Sequence, residues 1–151
     1  MVVKVGEKFF EGMIDITDPC YDKGTWCRMG KEIARGVYNC NITMSDEGIW
    51  GKRVKAIEIF QKGLKKKNTH KKYIGFIGVD AGLAGFFMNK PDYDDIEWAK
   101  FCDKIREGDY WFNDEGFFSS SGYGDGEYPV YCYKAENNPE DIVGLKIVFI
   151  R

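Results

Sequence analysis

Four short stretches of the 151-residue chain hold the side chains that could do chemistry. The first runs from Asp15 to Asp22 and reads Asp-Ile-Thr-Asp-Pro-Cys-Tyr-Asp. Asp15, Asp18 and Asp22 could gather oxygens for a hard cation such as Mg2+ or Ca2+. The competing reading is structural. Asp and Thr at a strand end accept hydrogen bonds from turn amides, and Pro19 holds the residue before it extended. The second stretch runs from Gly78 to Gly85, where Asp80 closes an apolar run. The small residues after Asp80 let a ligand or another backbone approach closely. Its glycines do not have the dinucleotide-binding spacing and no helical pattern follows, which disfavours a phosphate loop. A turn in which Asp80 bonds its own loop is the alternative.

The third stretch, Phe117 to Val130, is the densest. Ser119, Ser120, Ser121, Tyr123, Asp125 and Tyr128 are threaded by Gly122, Gly124 and Gly126. Tyrosines supply stacking area and serines supply adaptable hydrogen bonds, so this loop has the composition of a binding lip. Asp125-Gly126 is also a turn pair, and a wide hairpin with a glycine bulge competes equally. A serine nucleophile is disfavoured. The single histidine, His70, lies in a lysine-rich loop, so no Ser-His-Asp or Cys-His arrangement has a second candidate base. The fourth stretch, Lys62 to Lys72, carries six lysines and no acid. Without those lysines the formal net charge goes from −2 to −8, so the chain is an acidic body with one basic loop. Its place between two strands predicts a solvated hairpin tip, with an anion or phosphate contact as the functional reading. It lacks interleaved aromatics or arginines, which disfavours specific nucleic-acid readout.

The elements that must position these residues follow from glycine and apolar patterning. Eighteen glycines scattered between short apolar runs predict many strands joined by tight turns. Strands are expected at Phe9–Ile16, Val37–Met44, Val54–Gln61, Tyr73–Val79, Leu83–Met88, Gly116–Ser120, Tyr128–Lys134 and Val143–Ile150. The last places Val143, Leu145, Ile147 and Phe149 on one face, opposite a mixed face containing Lys146. One helix is expected from Asp92 to about Glu107, capped by Asp92 and stopped by Gly108. Trp98, Phe101, Cys102 and Ile105 form its apolar stripe. A weaker helical turn is expected around Tyr21–Cys27. The expected architecture is mainly β: one domain, an antiparallel sandwich or a curved barrel-like sheet, with one helix packed across it.

Composition limits the classes. Hydrophobic residues make up 44 % of the chain and aromatics 16 %, which excludes a disordered chain. No apolar run approaches the roughly 18 residues of a membrane span. The N-terminus lacks the basic, apolar and cleavage regions of a signal peptide. Cys20, Cys27, Cys40, Cys102 and Cys132 are odd in number and widely spaced, without a CxxC pair. They predict reduced thiols in a cytoplasmic protein, with Cys40, Cys102 and Cys132 as apolar fillers.

Asp18-Pro-Cys-Tyr21, Val79-Asp-Ala-Gly82 and Gly122-Tyr-Gly-Asp-Gly-Glu-Tyr-Pro-Val-Tyr131 stand in this order along the chain. Together they resemble the motifs of a family of small uncharacterised proteins of bacteria and their phages. The resemblance spans roughly residues 9 to 150. It implies a compact β-rich domain and implies no activity. Thr17 stands where the family pattern has glycine, which leaves the acid in place.

Three functional readings follow. The first is a non-enzymatic binding protein that holds a small polar ligand or a protein partner. Its ligand-binding residues would be Asp18, Tyr21, Asp80, Ser119, Ser121, Tyr123, Asp125 and Tyr128. The second is a metal-dependent hydrolase or phosphoesterase, in which Asp18, Asp80 and Asp125 converge on a divalent cation. A lone histidine and the lack of an Asp-x-Asp pair weigh against it. The third is a structural subunit of a homo-oligomer joined through sheet edges or aromatic patches. No cofactor, catalytic residue or membrane partner is predicted.

Overall fold

The computed structural model describes residues 1–151. Nine antiparallel strands form one sheet: β1 (Val2–Thr17), β2 (Met29–Asp46), β3 (Lys52–Gln61), β4 (Thr69–Val79), β5 (Leu83–Met88), β6 (Tyr110–Phe112), β7 (Gly116–Ser120), β8 (Gly126–Ala135) and β9 (Asn138–Val148). Their spatial order is β4-β8-β9-β3-β2-β1-β5-β7-β6. The sheet curls, bringing β4 near β1 and β3 near β7, but it does not close into a barrel. It is the curved-sheet form of the expected antiparallel β fold, with one helix.

The inner face of the curl holds a core of twenty buried residues drawn from every long strand. Phe10, Ile14 and Ile16 of β1 meet Tyr38, Cys40 and Ile42 of β2, Ile57 and Ile59 of β3 and Leu145 and Ile147 of β9. Period-two alternation dictates this arrangement, because successive side chains point to opposite faces. The last strand buries Val143, Leu145, Ile147 and the adjoining Phe149, while Lys146, Val148 and Ile150 are half-buried. Cys40 and Cys132 fill the core as small apolar groups.

The strands outrun their sequence-derived bounds at several ends. β1 begins at Val2, because Val2, Lys4, Glu7 and Lys8 pair with Thr43, Asn41, Asn39 and Tyr38 of β2. The expected hairpin at Lys62–Lys72 does not form. β3 and β4 are separated in the sheet by the β8–β9 hairpin, so the lysine loop is a crossover. The three-residue β6 adds an unexpected edge strand to β7.

The helix, α1 (Asp95–Asp103), is shorter than expected. Asp94 caps it instead of Asp92, in a reciprocal box with Glu97: Glu97 N–H donates to Asp94 (2.8 Å), and Asp94 N–H donates to Glu97 (3.2 Å). Asp92 instead accepts the Lys23 N–H at 2.7 Å. The last helical turn tightens at Lys104 and Ile105, well before Gly108. None of the helical residues is buried, and Cys102 is exposed rather than turned inward. Tyr21–Cys27 forms turns, not a helix. No helix is long and apolar enough to cross a membrane.

Candidate functional site

The three sequence motifs meet at one end of the sheet, through backbone groups. Asp18 follows the last residue of β1 and is fully buried. Its carboxylate accepts three N–H donors: Cys20 on Oδ1 (2.9 Å), then Asp80 (2.8 Å) and Ala81 (2.6 Å) on Oδ2. The first motif is thereby fastened to the second. Gly82 O then accepts the Ser121 N–H at 3.1 Å, fastening the second to the third. Charge-assisted bonds of this kind are about twice as strong as neutral ones. Every oxygen of Asp18 is engaged, so its carboxylate holds a turn rather than facing a cleft.

The serine and tyrosine hydroxyls are also engaged. Ser119 is buried and donates to Ser120 O (2.9 Å); Ser121 is buried and donates to Gly124 O (2.7 Å). Tyr128 donates to the same Gly124 O at 2.6 Å, and burial raises its pKa. Gly122 sits at φ +67°, against Phe149, Ile150 and the Val54 carbonyl, where a side chain would be both strained and crowded. Tyr123 is the exposed ring of this loop. Its hydroxyl donates to Glu47 (2.6 Å), which raises the tyrosine's pKa, and the Arg53 guanidinium lies 4.5 Å from its ring centre. Ser45 donates to the other Glu47 oxygen, and these two bonds hold the Glu47 carboxyl low. Asp80 and Asp125 are exposed. No group of three or more His, Cys, Asp or Glu side chains is spaced to hold a metal ion.

Tyr21 and Cys20 line the inside of the same turn. Burial pushes the Cys20 thiol up to about 12, assisted by the Asp18 charge. The Tyr21 hydroxyl is raised by burial and then by the Cys27 thiol. The Tyr21 carbonyl accepts from Arg28 (2.9 Å) and from Lys90 (3.3 Å), and Arg28 pairs with Asp15 at 3.0 Å. Lys90 is fully buried, although nothing in the sequence marks it. Asn89 takes a left-handed conformation (φ 57°) before it, and Lys90 then donates to Pro91 O (2.7 Å) beside the Tyr93 ring. Burial lowers its pKa, and the Arg28 charge adds to the shift.

A different region is open. Between α1 and the β6–β7 edge lies a groove of about 600 Å³, a volume that suits a small ligand. Its wall is a run of rings. Phe101 packs on Phe118 (5.3 Å), Trp111 stacks on Phe118 (5.6 Å), and Trp98, just outside the groove, stacks on Phe101 (5.2 Å). Tyr93 closes one end against Phe101 (5.5 Å). The rim is charged, with Lys100 of α1, Lys104 just after it, and Asp114 and Glu115 from the turn before β7. None of these four charges is in an ion pair.

This groove was not among the sequence candidates. Its signals were present: the Tyr110-Trp-Phe112 run, Phe117-Phe118, and the Trp98/Phe101/Ile105 stripe. The stripe reads as core because a helix normally turns it inward. Here α1 stands on the outer face of the sheet, and Trp98, Phe101 and Ile105 are only half-buried. No protein-family model, curated protein or solved structure matches the chain.

Proposed function

We propose that the chain is a non-enzymatic binding protein whose ligand-holding surface is the aromatic groove between α1 and β6–β7. The ligand is a small molecule with a flat apolar body and a polar or charged group. The body lies against Phe101, Trp111 and Phe118, and the polar group meets the rim lysines or carboxylates. One observation carries the reading: stacked rings and unpaired charges share one opening of ligand size. By contrast, the Asp18 carboxylate and the Ser119, Ser121 and Tyr128 hydroxyls are bonded to the protein's own backbone. In this reading the Ser/Tyr/Gly loop is a buttress, and Asp18, Tyr21 and Asp80 are turn residues. The five free thiols suit a reducing compartment such as the cytoplasm.

The test is a fluorescence titration with 1-anilinonaphthalene-8-sulfonate, a flat aromatic anion. The expected result is saturable one-to-one binding, weakened about tenfold by Trp111→Ala, since one stacked ring contributes up to about 1.5 kcal/mol. Unchanged probe affinity in that variant, with its melting temperature retained, overturns the reading.

A further inference from the structure

At the opposite edge of the sheet, on its outer face, register alone lines up a cross-strand row. Tyr73 of β4 pairs with Tyr131 of β8, Tyr131 with Lys146 of β9, and Lys146 with Glu58 of β3. One position over, Lys71 pairs with Tyr133, and Tyr133 with Gly144. Gly144 leaves room for Phe60 and Tyr133 to meet edge-to-face at 5.2 Å; a Cβ there would stand 2.9 Å from both rings. The crossover loop then folds back over this pair. Lys66 binds the buried Glu58 (2.7 Å) and lies over both rings. Asn41 and Tyr133 also donate to Glu58, which therefore has no capacity left for a second lysine.

Two ammoniums remain without a carboxylate. Lys71 lies 4.7 Å from the centre of the Tyr131 ring, and Lys146 is adjacent to Tyr131 in the sheet. Neither forms an ion pair. Lys146 is half-buried, and burial lowers its pKa. The Glu58 charge acts the other way, and the charges of Lys71, Lys66 and Lys55 lower it further. Four lysines thus share one carboxylate on an otherwise acidic protein. Like charges gathered in this way are unfavourable by themselves, and a multivalent anion relieves the repulsion.

We propose that Lys71 and Lys146, backed by Lys66 and Lys55, form a binding site for a phosphate-class polyanion, a di- or triphosphate. Lysine acts on phosphate as a point charge and needs no forked geometry, which suits ammoniums delivered from three strands and the crossover loop. Pyrophosphate carries more charge than orthophosphate at neutral pH and is long enough to reach more than one ammonium, so pyrophosphate is preferred over orthophosphate. The exposed Tyr73 ring stands 5.8 Å from Tyr131 at the margin of the site, where a base attached to the phosphate chain would stack.

Isothermal titration of the full chain with pyrophosphate, orthophosphate and ATP tests this. Pyrophosphate is expected to bind one-to-one and more tightly than orthophosphate, with affinity falling as salt rises. Lys146→Met and Lys71→Met each weaken it about tenfold, the effect expected of one charge-assisted contact. Lys23→Met, an exposed lysine in the loop after β1, leaves it unchanged, and melting temperatures establish that all three variants fold. ATP binding more tightly than pyrophosphate, with the gain erased by Tyr73→Ala, identifies a nucleotide as the source of the phosphates. Equal affinity identifies a bare polyphosphate. Absence of saturable pyrophosphate binding, or equal binding by both lysine variants and the parent, overturns the proposal.

Discussion

The motif cluster around Asp18 and the groove beside α1 are both rich in rings and polar atoms, but they use them in opposite ways. In the cluster, Asp18, Ser119, Ser121 and Tyr128 all bond to the chain's own backbone. In the groove, the rings form a wall facing an opening, and Lys100, Lys104, Asp114 and Glu115 are unpaired. Density of chemically capable residues therefore does not locate a site. What locates it is the number of donors, acceptors and ring faces left after the fold has satisfied itself.

Removing the Asp18 carboxylate is the sharpest way to break this comparison. Asp18→Ala removes a buried carboxylate and leaves three part-buried amides without their acceptor, and is expected to lower stability by about 3 kcal/mol or more. That corresponds to a fall of about 10 °C in melting temperature for a chain of this size. Asp18→Asn recovers only part of this, because both oxygens accept and an amide nitrogen cannot. If both variants melt with the parent, the carboxylate is not a fastener.

The groove inverts that pattern. Trp111→Ala should lose about tenfold in aromatic-probe affinity while lowering stability by only about 1 kcal/mol, since the ring is half-buried. Thermal melts run beside the titration separate the two effects. A smaller effect is expected at Ser121→Ala, about 1 kcal/mol of stability and no change in probe affinity. The smallest concerns Cys20. Its thiol, held up to about 12, stays protonated at neutral pH and acquires thiolate only as the pH rises toward that value. Iodoacetamide at pH 8 should therefore modify the exposed Cys102 before Cys20, as peptide mass spectrometry would show. Faster labelling of Cys20 would make it a reactive group and reopen the motif cluster as a site.

Much of the fold was legible because its signals are local. Leu83–Met88 and Gly116–Ser120 match β5 and β7 at both ends. Period-two burial along Val143 to Phe149 follows from alternation alone. What escaped was non-local. The sequence places the lysine loop between two strands, and neighbouring strands usually pair. Nothing local shows that the β8–β9 hairpin lies between them. The Trp98/Phe101/Cys102/Ile105 stripe has helical spacing, but spacing cannot say that its partner is an outer sheet face too small to cover Cys102. The capping aspartate shifted from Asp92 to Asp94 because both fit the local rule, and Asp92 is occupied by the Lys23 amide.

The candidate site was legible only in part. The meeting of the Asp18 and Asp80 segments was anticipated as a convergence of carboxylates; the structure makes it a convergence of one carboxylate with backbone amides. The Asp80 and Asp125 side chains are exposed rather than gathered with it. Lysine at position 90 gives no sign of burial, because what buries it is the turn at Asn89 and the packing of Tyr93.

The most direct test of the central contrast is an amide NMR titration of the 15N-labelled chain with 1-anilinonaphthalene-8-sulfonate. The account expects shift changes in α1, in β6 and at Asp114 to Phe118, with Ser119 to Tyr128 beyond them largely still. Changes concentrated at Ser121 to Tyr128, with α1 and Trp111 unmoved, would contradict it and return the binding surface to the loop.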